Sequence, residues 1–170
     1  MPDISSKREH IIFHLDCPSN HEKLSSLIIQ SVNEPNLVTQ WRHEGVCGQV
    51  TTGFNYRKIE SFTNLQFLLI IVERLTQRGN GSLQIIDTQI EIDGEFTLRD
   101  SQDKEALFKP IAVIHHTGRV NEGSRNTSGH YQADILDTET DLWYQTSDED
   151  LPFLVDTPSD QGYIIILKKV

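Results

Sequence analysis

The chain has 170 residues, 36% apolar and 24% charged, with a formal net charge of -10 and a pI of about 5.0. That composition excludes a disordered chain and suits one domain with its own core. It also argues against nucleic acid or an anionic membrane as the main partner. The longest apolar run, Phe67 to Val72, is far shorter than the roughly 20 residues a membrane helix needs.

Residues 1 to 8 are polar and are expected to be a flexible N-terminus, with a single domain over 9–170. The first residues contain no apolar signal core, and two cysteines, Cys17 and Cys47, do not make a disulfide framework. An intracellular location, cytoplasm or nucleus, is the expectation. On that view the glycosylation pattern at Asn126 is fortuitous.

In chain order, Ile11, Phe13 and Leu15 alternate and predict a strand. Ser19 and Glu22 suit a capping box for a helix whose stripe is Leu24, Leu27, Ile28 and Val32. Asn33-Glu34-Pro35 ends it. Leu37, Val38 and Trp41 predict a short packed turn, and residues 49–59 a strand interrupted near Gly53. The density of Leu, Ile and Val from Leu65 to Arg74 predicts a strand buried on both faces. Arg78 to Gly81 is a loop, residues 83–92 alternate, and Asp93-Gly94 signals a hairpin turn.

Phe108 to His116 predicts a central strand, with Pro110 near its start, where a missing donor does least harm. A polar loop follows to Ser128. His130–Leu136 and Leu142–Gln145 form a hairpin, Ser147 to Asp150 an acidic turn, and Gly162–Leu167 a last strand. One main N-terminal helix and many antiparallel strands predict an α+β fold, mostly antiparallel sheet. The acids at 134, 137, 139 and 141 read as a solvated hairpin.

The chemistry centres on Gly129-His130-Tyr131. Histidine can take and return a proton near neutral pH, and a preceding glycine leaves its ring little shielded on one side. A histidine base needs a nucleophile on one side and an orienting group on the other. The return strand Trp143-Tyr144 ends in Ser147-Asp148, which places an acid or hydroxyl near the ring.

Four blocks carry a resemblance: Ile111-Ala-Val-Ile-His-His-Thr-Gly118, Gly129-His-Tyr-Gln-Ala133, Trp143-Tyr-Gln-Thr-Ser-Asp148 and Gly162-Tyr-Ile-Ile-Ile-Leu167. In order and spacing they resemble the C-terminal portion of a ubiquitin-specific protease domain, a papain-like cysteine protease fold. Leu65 to Leu75 is similar to that family's "L-P-x-x-L-x-x-x-L-K-R-F" strand. The resemblance implies the palm and fingers part of such a protease and an antiparallel sheet. It implies His130 as general base, with Ser147 at the strict acid position and Asp148 beside it. It implies Gly129, Tyr131 and Trp143 as the wall of a channel for the ubiquitin tail.

The family's N-terminal cysteine box has no counterpart. Cys17 precedes the predicted helix, but Pro18 follows it and the flanking glycine and asparagine are missing. Three readings follow. The chain is the His/Asp half of a thiol-dependent deubiquitinase, inactive alone for want of a nucleophile. Alternatively, it is a pseudoenzyme that binds ubiquitin, a ubiquitin-like protein or another partner, such as another protein subunit, without catalysis. In the third reading it is a compact protease using Cys17. No cofactor is expected. His43 and Cys47 stand where the family has one pair of zinc ligands, but zinc needs four, and a metal-free degenerate knuckle is the expectation.

Overall fold

A computed structural model of the chain describes residues 12–33, 36–42, 50–55, 58–77, 83–120, 127–148 and 150–170. The expectations for residues 1–8, the loop from Arg78 to Gly81, Ile11, His43, Cys47 and Asn126 lie outside the described residues. The described chain is mostly β-sheet with a single short helix.

The elements run β1 (Ile12–Asp16), β2 (Glu22–Lys23), α1 (Leu24–Asn33), β3 (Asn36–Arg42), β4 (Val50–Asn55), β5 (Phe67–Glu73), β6 (Leu75–Gln77) and β7 (Leu83–Ile85). They continue with β8 (Ile90–Glu91), β9 (Phe96–Arg99), β10 (Glu105–Val120), β11 (Thr127–Asp137), β12 (Leu142–Thr146), β13 (Phe153–Val155) and β14 (Gly162–Lys169).

An eight-stranded sheet organises them in the order β1-β5-β14-β10-β11-β12-β13, with β9 also on β10. Its pairings are antiparallel except β1 with β5, which run parallel with Leu15 opposite Val72. β10 is the long central strand. The ladder to β14 shifts register between Pro110 and Ala112, where proline has no N–H to give.

One face of this sheet is the core. Leu15, Leu68, Ile70, Val72, Val113, Ile165 and Leu167 pack with Leu24, Leu27 and Ile28 of α1 and with Phe62, Phe96, Leu98 and Phe108. The Phe62 and Phe108 rings meet edge to face at 5.3 Å. Burying such a face is the main driving force for the fold, at about 1.5–3 kcal/mol for a fully buried large apolar side chain.

Several expectations are corrected. β5 is not buried on both faces: Leu68, Ile70 and Val72 are enclosed, while Leu69 and Ile71 are half-buried. Its composition reflects one core face and one open face. Residues 36–42 form a strand paired with β4, not a turn. The cap of α1 is not Ser19 with Glu22, because the helix starts at Leu24 and Glu22 lies in β2. Asp93 caps it from elsewhere: the Ser25 N–H donates to Asp93 Oδ1 at 3.1 Å, and the Ser25 hydroxyl donates to Oδ2. A carboxylate there satisfies an orphan N–H and faces the positive helix end. Asp93-Gly94 therefore joins no hairpin. β8 pairs with β2, and β9 with β10. The short strand β13 was not foreseen.

Candidate functional site

The β11–β12 hairpin brings His130, Ser147 and Asp148 together. His130 lies on β11 opposite Thr117 of β10, whose hydroxyl donates to the His130 carbonyl at 3.3 Å. Ser147 follows the last ladder pair of the hairpin, Ala133 with Thr146. It is 8% exposed, and its hydroxyl is hydrogen-bonded to Nε2 of His130. Asp148 has φ 41° and is exposed; its Oδ2 stands 3.4 Å from Nδ1 of the same ring. Aspartate tolerates that left-handed conformation better than most residues. The Asp150 N–H closes the turn onto the Ser147 carbonyl at 2.9 Å. His130, Ser147, Asp148 and Asp150 line an open basin of about 640 Å³.

This arrangement holds an imidazole by both nitrogens at the edge of solvent. The buried hydroxyl orients the ring. The carboxylate is free to leave, since its side chain is 76% exposed.

Gly129 does not serve by baring His130. A Cβ there would press within 3.0 Å of the His116 ring on β10 and of the Thr117 carbonyl oxygen. The missing side chain makes room for His116. That ring contacts Tyr131 at 4.7 Å between centroids and Tyr163 at 6.0 Å. Tyr131 is 62% exposed beside it. Trp143 is half-buried and packs against the hydrophobic core, paired with Leu136 and Val155.

Cys17 is not brought to this group. It follows β1, which lies four places from β11 in the sheet order. Its sulfur accepts from Arg74 Nη1 at 3.5 Å and lies 4.0 Å from the Ile86 carbonyl oxygen. Burial pushes its thiol pKa up; Arg74 offsets this in part and Asp87 adds to it. Only the thiolate is a nucleophile. Iodoacetamide at neutral pH should therefore modify Cys17 several-fold more slowly in the folded protein than in urea, as followed by mass spectrometry of its peptide. Equal rates would contradict this reading.

A second polar group lies deeper in the hairpin. His115 points away from His116, as strand alternation requires, and is buried against Asp134 at 3.4 Å. Asp134 is 1% exposed, which corrects its expected place on a solvated surface. Gln145 Nε2 donates to its Oδ1 at 2.9 Å, and the Ser159 N–H to its Oδ2 at 2.7 Å. Burial would push its carboxyl pKa up, but the hydrogen bonds from His115, Gln145 and Ser159 outweigh that and hold it low. The signal was the break in the acidic spacing: Asp134 falls on the inward register of β11 with Leu136. Among the described residues no three His, Cys, Asp or Glu side chains form a metal-holding group. No described helix is long and apolar enough to cross a membrane.

Comparison with solved structures identifies the fold. The chain is similar to a structure of the yeast SAGA DUB module with an Sgf73 mutant, with a TM-score of 0.72 and 19% identity over 93% of this chain and 35% of that one. It is similar to the Ubp8/Sgf11/Sus1/Sgf73 module bound to monoubiquitin, with a TM-score of 0.63, 17% identity and the same coverage. An essential yeast splicing factor aligns over 94% of this chain and 36% of its own, with a TM-score of 0.52 and 10% identity. The fold is thus that of ubiquitin-specific-protease-type deubiquitinases. The chain spans about a third of the length of the structures it matches. No protein-family model matches the sequence, and neither does any curated protein.

Proposed function

We propose that this chain is the C-terminal, palm-and-fingers part of a ubiquitin-specific-protease-like domain, and that it supplies the base side of a thiol isopeptidase site. The observation that carries this reading is His130 itself. The buried Ser147 hydroxyl holds its Nε2 at the lip of an open basin, and a displaceable carboxylate stands at Nδ1. The likeness to a module bound to monoubiquitin supports ubiquitin or a ubiquitin-like protein as the partner.

In this mechanism the Ser147 hydroxyl oxygen accepts a hydrogen bond from Nε2–H, so Nδ1 carries the lone pair. A cysteine other than Cys17 gives its thiol proton to Nδ1. The thiolate attacks the isopeptide carbonyl after the last glycine of ubiquitin. The imidazolium then returns the proton to the lysine amine as the C–N bond breaks, leaving a thioester. Water, deprotonated by the same ring, releases the carboxylate and regenerates the thiol. Asp148 swings off Nδ1 to admit the thiol and, staying on the adjacent turn, adds a nearby negative charge that a serine lacks for the imidazolium. Tyr131, exposed beside His116, lines the path of the tail, the role that the resemblance implies for Gly129 and Trp143 as well. Alone, the chain has no activity.

The second reading is a pseudoenzyme that binds ubiquitin, a ubiquitin-like protein or another subunit without chemistry, in the same intracellular setting. It is favoured by Asp148 standing at the nitrogen that a thiol would need.

A ubiquitin carrying a C-terminal electrophile tests both. The first reading expects no adduct with this chain alone. It expects labelling of a cysteine-bearing partner polypeptide only when this chain is added, and loss of that labelling with His130→Ala. Ubiquitin binding that His130→Ala leaves unchanged, with no labelling under any mixture, makes the chain a binder. An adduct on Cys17 overturns both.

A further inference from the structure

We propose that the outer edge of the sheet at β13 is a docking site for an extended apolar segment of a partner protein flanked by Lys or Arg, which adds to β13 as a further strand. This surface is separate from His130 and goes beyond the role proposed for that residue.

The first observation is an open edge. β13 ends the sheet order, and among the described residues it pairs only with β12. Sheet edges are normally blunted by charge, proline or cover. Here Phe153, Leu154 and Val155 carry neither charge nor proline within the strand. Leu154 is 56% exposed, and Leu151, just before the strand, is 88% exposed. Unpaired backbone groups beside exposed apolar side chains are the requirement for strand addition.

The second observation is a place for side chains. Ile135, Tyr144 and Leu154 stand in register across β11, β12 and β13, and so share a face. Beside them lies an apolar cavity of about 440 Å³ lined by Ile135, Asp137, Tyr144, Thr146 and Pro152. A strand on β13 would aim alternate side chains along this face.

The third observation selects the occupant. Between Asp134 and Asp160 there are nine Asp or Glu and no Lys or Arg. Asp134 is buried and Asp148 and Asp150 line the His130 basin, but Asp137 lines the apolar cavity and Glu139 and Asp156 are exposed. Lys109 neutralises Asp141, but the rest of the rim is negative, and an apolar strip in such a rim is complementary to an apolar segment with cationic flanks. It opposes a second copy of this chain, which would bring the same acids and a net charge of -10 against its own.

A display library of random short peptides, selected on the folded full chain, tests this. Enriched peptides should alternate apolar residues between Lys or Arg. Their affinity should fall steeply with added salt. It should drop about tenfold or more with Leu154→Lys, and binding should slow amide exchange across residues 151–156. Leu154 is exposed, so that variant keeps its fold, to be verified by thermal unfolding. A second variant, Leu151→Lys, should act in the same direction. Absence of enrichment, enrichment of acidic-flanked peptides, or indifference to both substitutions would overturn the proposal. So would a dimer in sedimentation that Leu154→Lys dissolves, since the occupant would then be a second copy.

Discussion

Replacing Arg74 with Met should destabilise the protein by about 3–5 kcal/mol, because several buried carbonyl oxygens lose a charged donor at once. The side chain is 1% exposed, and the acceptors described for it are not carboxylates. Nε donates to the Gly162 carbonyl at 2.9 Å. Nη1 donates to the carbonyls of Ile86 at 3.1 Å and Thr88 at 2.7 Å, and Nη2 to that of Asp160 at 3.0 Å. One guanidinium thus pins the segment before β8 and the entry to β14 onto the end of β5. Methionine fills most of the volume but leaves these carbonyl oxygens without that donor, each costing about 1–3 kcal/mol when buried and unsatisfied, less than additively. Arg74→Lys should recover only part, because three donors on one nitrogen cannot span acceptors spread around a planar fork. Urea unfolding of the three proteins measures this. A Met variant within about 1 kcal/mol of wild type would show the site relaxing around water instead.

Asp134→Asn should lower stability at neutral pH by about 1–3 kcal/mol, because the replacement puts an amide donor where two oxygens accept from Gln145, Ser159 and His115. It should also flatten the acid limb of the stability profile. The folded carboxyl is held below its ordinary value, so the unfolded chain binds the proton first as pH falls. The stabilisation is complete above the ordinary carboxylate pKa of about 3.9 and is lost as pH drops through the lower folded value. Asp137 acts with the same sign, lowered first by the Thr140 hydroxyl and then by the Glu139 N–H, so Asp137→Asn is the control for an exposed position. Unfolding titrations across the acid range measure both. Parallel wild-type and Asp134→Asn profiles would exclude this account. Asp134 and Gln145 tie together the two strands that carry His130 and Ser147. The variant should therefore also broaden the His130 imidazole resonances.

Much of the architecture was legible because period-two alternation is local. β1, β10, the β11–β12 hairpin and β14 fall where alternating or dense apolar residues predict them. The elements that failed did so for non-local reasons. A capping box can be read only within one segment, and α1 is capped by Asp93, which comes from the far side of the chain. A turn signal at Asp93-Gly94 says that the chain bends, not which strands pair on either side. β13 is too short for periodicity and exists because β12 offers it an edge.

By itself, then, the sequence determined a mostly antiparallel sheet, its central strand, and the hairpin that carries Gly129-His130-Tyr131 and returns to Ser147-Asp148, since turns, strand parity and block spacing are written in neighbouring residues. Only the tertiary structure decided which nitrogen of His130 meets which partner, because Ser147 and Asp148 are neighbours in sequence and the turn at Asp148, with φ 41°, sets which side chain faces which nitrogen. It also decided that Gly129 makes room for His116, that Asp134 is buried and that Arg74 is a hub. Each of these depends on strands far apart in the chain arriving side by side, and burial turns an ordinary polar residue into one whose every hydrogen bond must be met.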